Sequence, residues 1–321
     1  MYKIAILNVG GAFSAYAELN GKQVVVDLGS GNGFSPVKDF LLPLARSGKF
    51  TKSPHVNSQG KYHIDQLFLS HLDNDHVSDY VEFRKYFQPD FMTCPNKNPM
   101  QNDDFKINDE LVGEIEDSKR LVLEDMDTRS PNSLNHPRMS EENPLISIVN
   151  EIDLYYIKPS DCESDTLLKT NYANNISLVL FIKLGSKTIF IPGDLSKEGM
   201  QYLIDANPGL KKELTDLGVD YYIAPHHGLQ TSFSEYFFQT INGNKTRLNI
   251  ISEKVRTEDS NENRSDVDSR YYGEEYSSGL NSLNQRGVKT SMGHIVIDLT
   301  TDDAVITQYQ DIKDVIAEFT V

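Results

Sequence analysis

Four potential metal ligands crowd into one short run of this chain, His71-Leu72-Asp73-Asn74-Asp75-His76. The run follows Gln66–Ser70, which reads as a short buried strand. Where a strand stops, successive side chains splay around a loop and can converge on one point. Imidazole and carboxylate are the ligands that zinc, manganese and iron accept. The bland alternative is a solvated acidic turn with two incidental histidines, and two further clusters weigh against it. In Thr188–Asp194 an apolar strand ends in Gly193-Asp194, which sets one carboxylate at a sheet edge. In Tyr221–Gly228 another strand ends in Pro225-His226-His227-Gly228, adjacent histidines of the kind that sit beside a metal or a phosphate.

The elements that must carry these clusters follow from the hydrophobic pattern. Tyr2–Val9 and Ala12–Leu19 read as strands, and Asn20-Gly21 is a hairpin turn into a third, Gln23–Asp27. Gly29-Ser30-Gly31-Asn32-Gly33 reads as a flexible turn; with no Gly-Lys-Ser/Thr and no GxGxxG it is not a nucleotide loop. Helical spacing covers Val37–Ala45, Asp79–Phe87 and Ser196–Asn207, and Glu110–Leu123 has room for another helix. Further strands are expected at Ile152–Ile157, Ser177–Leu184, Thr188–Pro192, Tyr221–Pro225, Leu248–Ser252 and His294–Leu299. Residues 95–150 are polar and loop-rich, and read as an insertion within a single domain spanning 1–321. Residues 253–270 are highly charged and read as an exposed loop. His55, His63, His136 and His294 lie outside the clusters and read as surface or capping histidines, and Tyr271 and Tyr272 read as core.

Composition narrows the function classes. A chain of 321 residues can bury a large α/β core. Its 31 Lys and Arg against 47 Asp and Glu leave a formal net charge of −16, the reverse of the basic excess that coats long nucleic acid. The two cysteines, Cys94 and Cys162, form no CxxC pair, which excludes a disulfide framework and a thiolate zinc finger. No apolar run reaches the length of a membrane span and no leader pattern opens the chain, so the expectation is a cytoplasmic protein without a membrane partner.

The HxDxDH segment, the Gly-Asp strand end and the Pro-His-His-Gly segment, in that order, resemble the metallo-β-lactamase superfamily. The likeness is greatest to the branch holding the hydrolase domain of ComEC/Rec2-type DNA-uptake proteins. It extends to Ile6–Gly10, to Val24–Gly29 with its Asp-x-Gly strand end, to Asn174–Leu180, and to Arg286-Gly287 with Thr290–Ile297. Residues 95–150 have no counterpart. The resemblance implies an α/β fold, the αββα sandwich with a loop-rich insertion, and two divalent metal ions, zinc or manganese, at the sheet edges. Carried over, His71 and Asp73 hold one ion, Asp75 and His76 the second, and Asp194 bridges them. His226 completes the second site and His227 faces the substrate, with the choice between the two histidines open. Asp27 and Asn175 support the ligands from behind. Asp73 stands where the common pattern has His, and Asn174 or Asn175 replaces a later His; both changes favour harder ions.

Three carboxylates, Asp73, Asp75 and Asp194, converging without cations would repel until one took a proton. Two divalent ions remove that conflict and lower the pKa of a bound water, yielding hydroxide near neutral pH. The expectation is therefore a metal-dependent hydrolase of phosphodiester bonds working through metal-bound hydroxide, with Asp75 and His227 as its catalytic side chains. It is a nuclease or a small-molecule or cyclic-nucleotide phosphodiesterase. The acidic balance suits a short or single-stranded nucleic acid, or a nucleotide, better than long duplex. The rival expectation is a non-catalytic metal-binding regulatory module on the same scaffold, meeting a protein partner through 95–150 or 253–270. A lactam or thioester hydrolase fits Asp73 and the His-His-Gly end less well.

Overall fold

The computed structural model describes residues 1–52, 60–94, 115–128, 147–253, 267–280, 285–301 and 303–320. Its strands are β1 (Tyr2–Ile6), β2 (Ala15–Leu19), β3 (Lys22–Val26), β4 (Tyr62–Phe68), β5 (Phe87–Thr93), β6 (Ile152–Tyr155) and β7 (Val179–Leu184). They continue as β8 (Lys187–Ile191), β9 (Tyr221–Ile223), β10 (Leu248–Ile251), β11 (Gly287–Lys289), β12 (His294–Asp298) and β13 (Val305–Tyr309). The chain divides into two compact units, Met1–Val149 with Gly293–Val321, and Asn150–Met292.

The first unit holds a seven-stranded sheet in the order β13-β12-β1-β2-β3-β4-β5. Its start is the expected hairpin. Asn20 (φ 52°) and Gly21 (φ 78°) both take left-handed backbone, the pairing that matches the twist of the flanking strands. From β3 onward the sheet turns parallel, β3 to β4 and β4 to β5. Tyr16 of β2 meets Phe40, Phe50 and Phe319 edge to face at centroid distances of 5.5, 6.0 and 5.1 Å. These contacts bind the helix Leu42–Arg46, with the wide turn Pro36–Leu41 before it, and the C-terminal helix Ile312–Thr320 to one face of the sheet. Lys3 ties the same C-terminal helix to β1 through Glu318 at 2.6 Å.

The second unit is a six-stranded sheet in the order β11-β10-β9-β8-β7-β6. It is parallel from β8 to β11, with an antiparallel edge of β6 and β7. β9 is buried along its whole length, as expected of a central parallel strand covered on both faces. Over it lies an aromatic layer in which Tyr222 stacks on Phe237 at 4.4 Å and meets Phe238 edge to face at 5.7 Å.

The differences from the sequence reading have local causes. β4 runs Tyr62–Phe68 rather than Gln66–Ser70, because Leu69 and Ser70 already leave the ladder to begin the ligand loop. β5, containing Pro89, went unread: proline argues against a central strand, and β5 is the edge strand that tolerates it. The helix expected within Glu110–Leu123 runs Ile115–Thr128 among the described residues. The glycine loop is not a flexible turn. A Cβ on Gly29 would lie 1.8 Å from the Asp75 carbonyl oxygen, and one on Gly31 2.4 Å from that of Val9, so both glycines let backbone pack on backbone. Residues 95–114 and 129–146, with His136, residues 254–266, and His55 lie outside the described residues.

Asp79 anchors the turn ahead of the first helix: its Oδ2 accepts from the Ser35 hydroxyl at 2.7 Å and from the Val37 N–H at 2.8 Å. Burial nonetheless pushes its carboxyl up to about 6, against the pull of those two donors. Between the ordinary carboxylate range and that value, the folded chain keeps a proton that the unfolded chain has released. Stability therefore falls as pH rises through this window, by an amount on the order of 2 to 3 kcal/mol once Asp79 is fully ionised. Asp79→Asn keeps an oxygen acceptor and has no charge to bury. Urea unfolding between pH 4.5 and 7.5 is expected to show a smaller decline for D79N than for the wild type; equal slopes would sink the assignment.

Candidate metal centre

In the first unit the ligand run hangs on one buried carboxylate. Asp27, at the end of β3, is fully buried and adopts left-handed backbone (φ 57°). Its Oδ1 accepts the Ser70 N–H at 2.6 Å, and its Oδ2 accepts the Ser70 hydroxyl at 2.7 Å and the His76 Nδ1–H at 2.7 Å. A donating Nδ1 makes Nε2 the lone-pair nitrogen of His76, the tautomer that ligates metals. The Ser70 oxygen, having donated to Asp27, receives His71 Nδ1 at 3.1 Å, which gives His71 the same tautomer. The two rings lie with centroids 4.1 Å apart, and both histidines are 1% exposed.

Backbone bonds then lock the loops together. Asp27 N–H donates to Phe68, Leu28 N–H to His76 and Phe13 N–H to Asp75, at 2.8, 2.8 and 3.0 Å. Asp73 precedes the helical turn Asn74–Val77, and its Oδ2 lies 3.6 Å from His71 Nε2. Asp75 sits at the start of the same turn, its carbonyl beneath Gly29.

In the second unit the donors again follow parallel strands. Asp194, 5% exposed, comes after β8, beyond left-handed Gly193 (φ 60°), and its N–H donates to the Ser177 hydroxyl at 3.1 Å. After β9, His226 (φ 48°), His227 (φ 57°) and Gly228 (φ 78°) are consecutively left-handed. For the two histidines this backbone costs about 1–3 kcal/mol each and marks a site that the surroundings must hold in place. His227 Nδ1 donates to the Ser252 carbonyl at 3.0 Å, leaving Nε2 as its lone-pair nitrogen. His226 Nδ1 lies 3.5 Å from both the Asn174 amide and the Ser232 hydroxyl, and its Nε2 is 3.9 Å from Asp194 Oδ2. Asn175 is fully buried, donating to the Leu168 carbonyl at 2.9 Å and accepting from Ser196 N–H and Oγ–H at 3.1 and 2.9 Å. It thereby fixes the turn just after Asp194.

The remaining described histidines have structural partners. His63 pairs with Asp90 at 2.7 Å. His294 Nδ1 accepts the Asn8 N–H at 3.0 Å, and burial lowers its pKa to about 4. Tyr271 is fully buried in the aromatic layer and Tyr272 is half-buried. Sequence reasoning missed Ser70 and Ser252, which set imidazole tautomers; a serine beside a histidine and a backbone carbonyl from a distant strand leave no signal in spacing.

A family model described as the metallo-beta-lactamase superfamily matches residues 7–227, and the chain belongs to that superfamily. Its fold class is accordingly the mixed α/β fold of αββα type. Among curated proteins, ComE operon protein 3 of Bacillus subtilis (strain 168) is 25% identical over 223 residues. That match takes in 68% of this chain but 24% of the relative, so the chain spans about a quarter of the relative's length. Among solved structures, the metallo-beta-lactamase fold protein YhfI from Bacillus subtilis is 10% identical, with a TM-score of 0.38 over 78% of this chain and 85% of that one. Zinc-bound PqqB from Methylobacterium extorquens is 12% identical, with a TM-score of 0.32 over 69% of each chain. Among the described residues no helix is long and apolar enough to cross a membrane.

Gly29→Ala tests the close approach beneath Asp75. The added methyl has only backbone to displace, so a loss of about 3 kcal/mol or more is expected by urea denaturation. Gly33→Ala, with open space but φ +74°, should lose only about 1 kcal/mol. Equal, small losses would mean that the loop yields freely.

Proposed function

We propose that this chain is a metal-dependent hydrolase of phosphodiester bonds, one catalytic domain working with two divalent ions, zinc or manganese. The observation that carries this reading is the fixing of imidazole tautomers at strand ends in each unit. His76 is held through Nδ1 by Asp27 and His227 by the Ser252 carbonyl, so both present Nε2 as the lone-pair nitrogen. The superfamily match supports the reading because it runs from residue 7 to residue 227 and so includes both donor sets.

His71, Asp73, Asp75 and His76 would hold metal, and so would Asp194. The sequence reading gave the remaining ligand role to His226 and the substrate role to His227. The carbonyl-fixed tautomer favours His227 as the ligand, and leaves His226, within 4 Å of Asp194, to face the substrate and move a proton to the leaving oxygen. Asp27 and Asn175 act as positioning residues, Asp27 on His76 and Asn175 on the turn after Asp194. Bound divalent ions supply a nucleophile from water at neutral pH and neutralise charge on the ester oxygens. The oxygen-rich donor set favours a harder ion such as manganese. With a net charge of −16, a short or single-stranded nucleic acid or a nucleotide is the better substrate class than long duplex.

Metal analysis paired with hydrolysis of bis(p-nitrophenyl) phosphate tests the proposal. The expected result is about two equivalents of metal, and a fall of roughly a hundredfold or more in turnover for Asp75→Ala and Asp194→Ala. Wild-type rates in either variant, or no metal after reconstitution, would overturn it. Bound metal without turnover on any phosphodiester would favour the binding-module alternative.

Asp27→Asn probes the support behind His76. Competition with a chelator should show metal affinity weakened roughly 10–100-fold. Unchanged affinity would remove Asp27 from that role.

A further inference from the structure

The second unit contains a cavity of about 560 Å³ whose contents the metal chemistry leaves unassigned. That volume lies within the roughly 300–1,000 Å³ typical of small-molecule sites. Lys197 and Gln201 line it from the helix that begins just after Asp194, and Gln230 and Thr231 from the turn just beyond His227. Part of its lining thus comes from segments that closely follow this unit's candidate donors in sequence.

One wall is built from a stack. Phe233, 2% exposed, is held by Phe238 at 5.2 Å and, edge to face, by Tyr271 at 4.8 Å and Tyr276 at 5.0 Å. The Arg270 guanidinium lies over the Phe233 ring, its central carbon 4.0 Å from the ring centroid. Asp268 grips that guanidinium in a fork, Nε to Oδ1 at 3.0 Å and Nη2 to Oδ2 at 2.8 Å, while Nη1 reaches Glu235 at 2.6 Å. The plane of Arg270 is thus fixed from two sides and lines the cavity.

Two carboxylates around one guanidinium leave a local excess of negative charge, which argues against a phosphate anchor at Arg270. A flat cation on an aromatic ring instead makes a platform for another flat ring. The amides of Gln201 and Gln230 make no side-chain hydrogen bond among the described residues and supply donor and acceptor edges to such a ring.

We propose that this cavity is a nucleobase subsite: the base stacks on Arg270, with its edge read by Gln201 and Gln230. The proposal rests on the phosphodiesterase reading and assigns the base of such a nucleotide or single-stranded substrate its own place on the chain.

Equilibrium dialysis of the full chain as purified, with radiolabelled adenosine and with ribose, tests it. Neither ligand carries a phosphate, so failure here leaves the hydrolase reading standing, and failure of that reading leaves this result interpretable. The wild type is expected to bind adenosine about tenfold or more tighter than ribose. Arg270→Lys, which keeps the charge but loses the plane, should remove most of that preference. Gln201→Ala, at an exposed helix position, should weaken adenosine binding and carries the test if R270K does not fold. Equal affinity of the wild type for adenosine and ribose, or an undiminished preference in both variants, would overturn the subsite.

Discussion

A buried carboxylate at the end of β3 organises the first unit's half of the chemistry. Asp27 combines a left-handed backbone, unfavourable for a non-glycine residue, with complete burial, and it is held by three donated hydrogen bonds. Each bond links Asp27 to something beyond β4: the Ser70 backbone, the Ser70 hydroxyl and the His76 ring. Removing it would strand those donors in a dry interior, where an unmade bond costs far more than a made one returns. The histidine tautomers, the path of the ligand loop and the seating of Gly29 on Asp75 all follow from this one acceptor.

The same architectural device serves each unit by itself. Parallel strands place their carboxyl ends along one edge, and loops leaving that edge carry the polar groups. In the first unit these are Asp27 after β3 and Ser70–His76 after β4; in the second, Asp194 after β8, His226 and His227 after β9, and Ser252 after β10. Asp27, Gly193, His226, His227 and Gly228 are left-handed at these strand ends, where the chain must turn sharply to bring a side chain to the edge. Strain, burial and donor groups coincide because all three result from turning a ligand loop within a short span.

Much of this was legible along the chain. The HxDxDH run, the Gly193-Asp194 end and the His226-His227 pair are dense in ligand chemistry, and each lies directly after an apolar β run. The Asn20-Gly21 hairpin was equally plain, since both turn positions demand left-handed backbone. β5 was hidden by Pro89, whose meaning depends on whether a strand lies at an edge. The glycine run at 29–33 looked like slack because composition does not record what a missing Cβ lets approach. Arg270 gave no signal beside the more conspicuous Tyr271 and Tyr272, yet Tyr271 packs inward and the arginine lines the cavity.

By itself the sequence determined which residue types are available for chemistry, their placement after strands and the superfamily to which the chain belongs. The first two are properties of local spacing and of hydrophobic periodicity; the third rests on the likeness of the motifs to those of the superfamily. Only the tertiary structure decided which nitrogen of His76 and of His227 carries the lone pair, which asparagine clamps a turn, and which planar group stacks on Phe233. The tautomers depend on single hydrogen bonds between residues far apart in the chain, Asp27 with His76 and Ser252 with His227, and the stacking plane depends on Arg270, gripped by neighbouring Asp268, meeting the distant Phe233. A tautomer or a stacking plane is set by its partner's position in space, and no spacing along the chain encodes it.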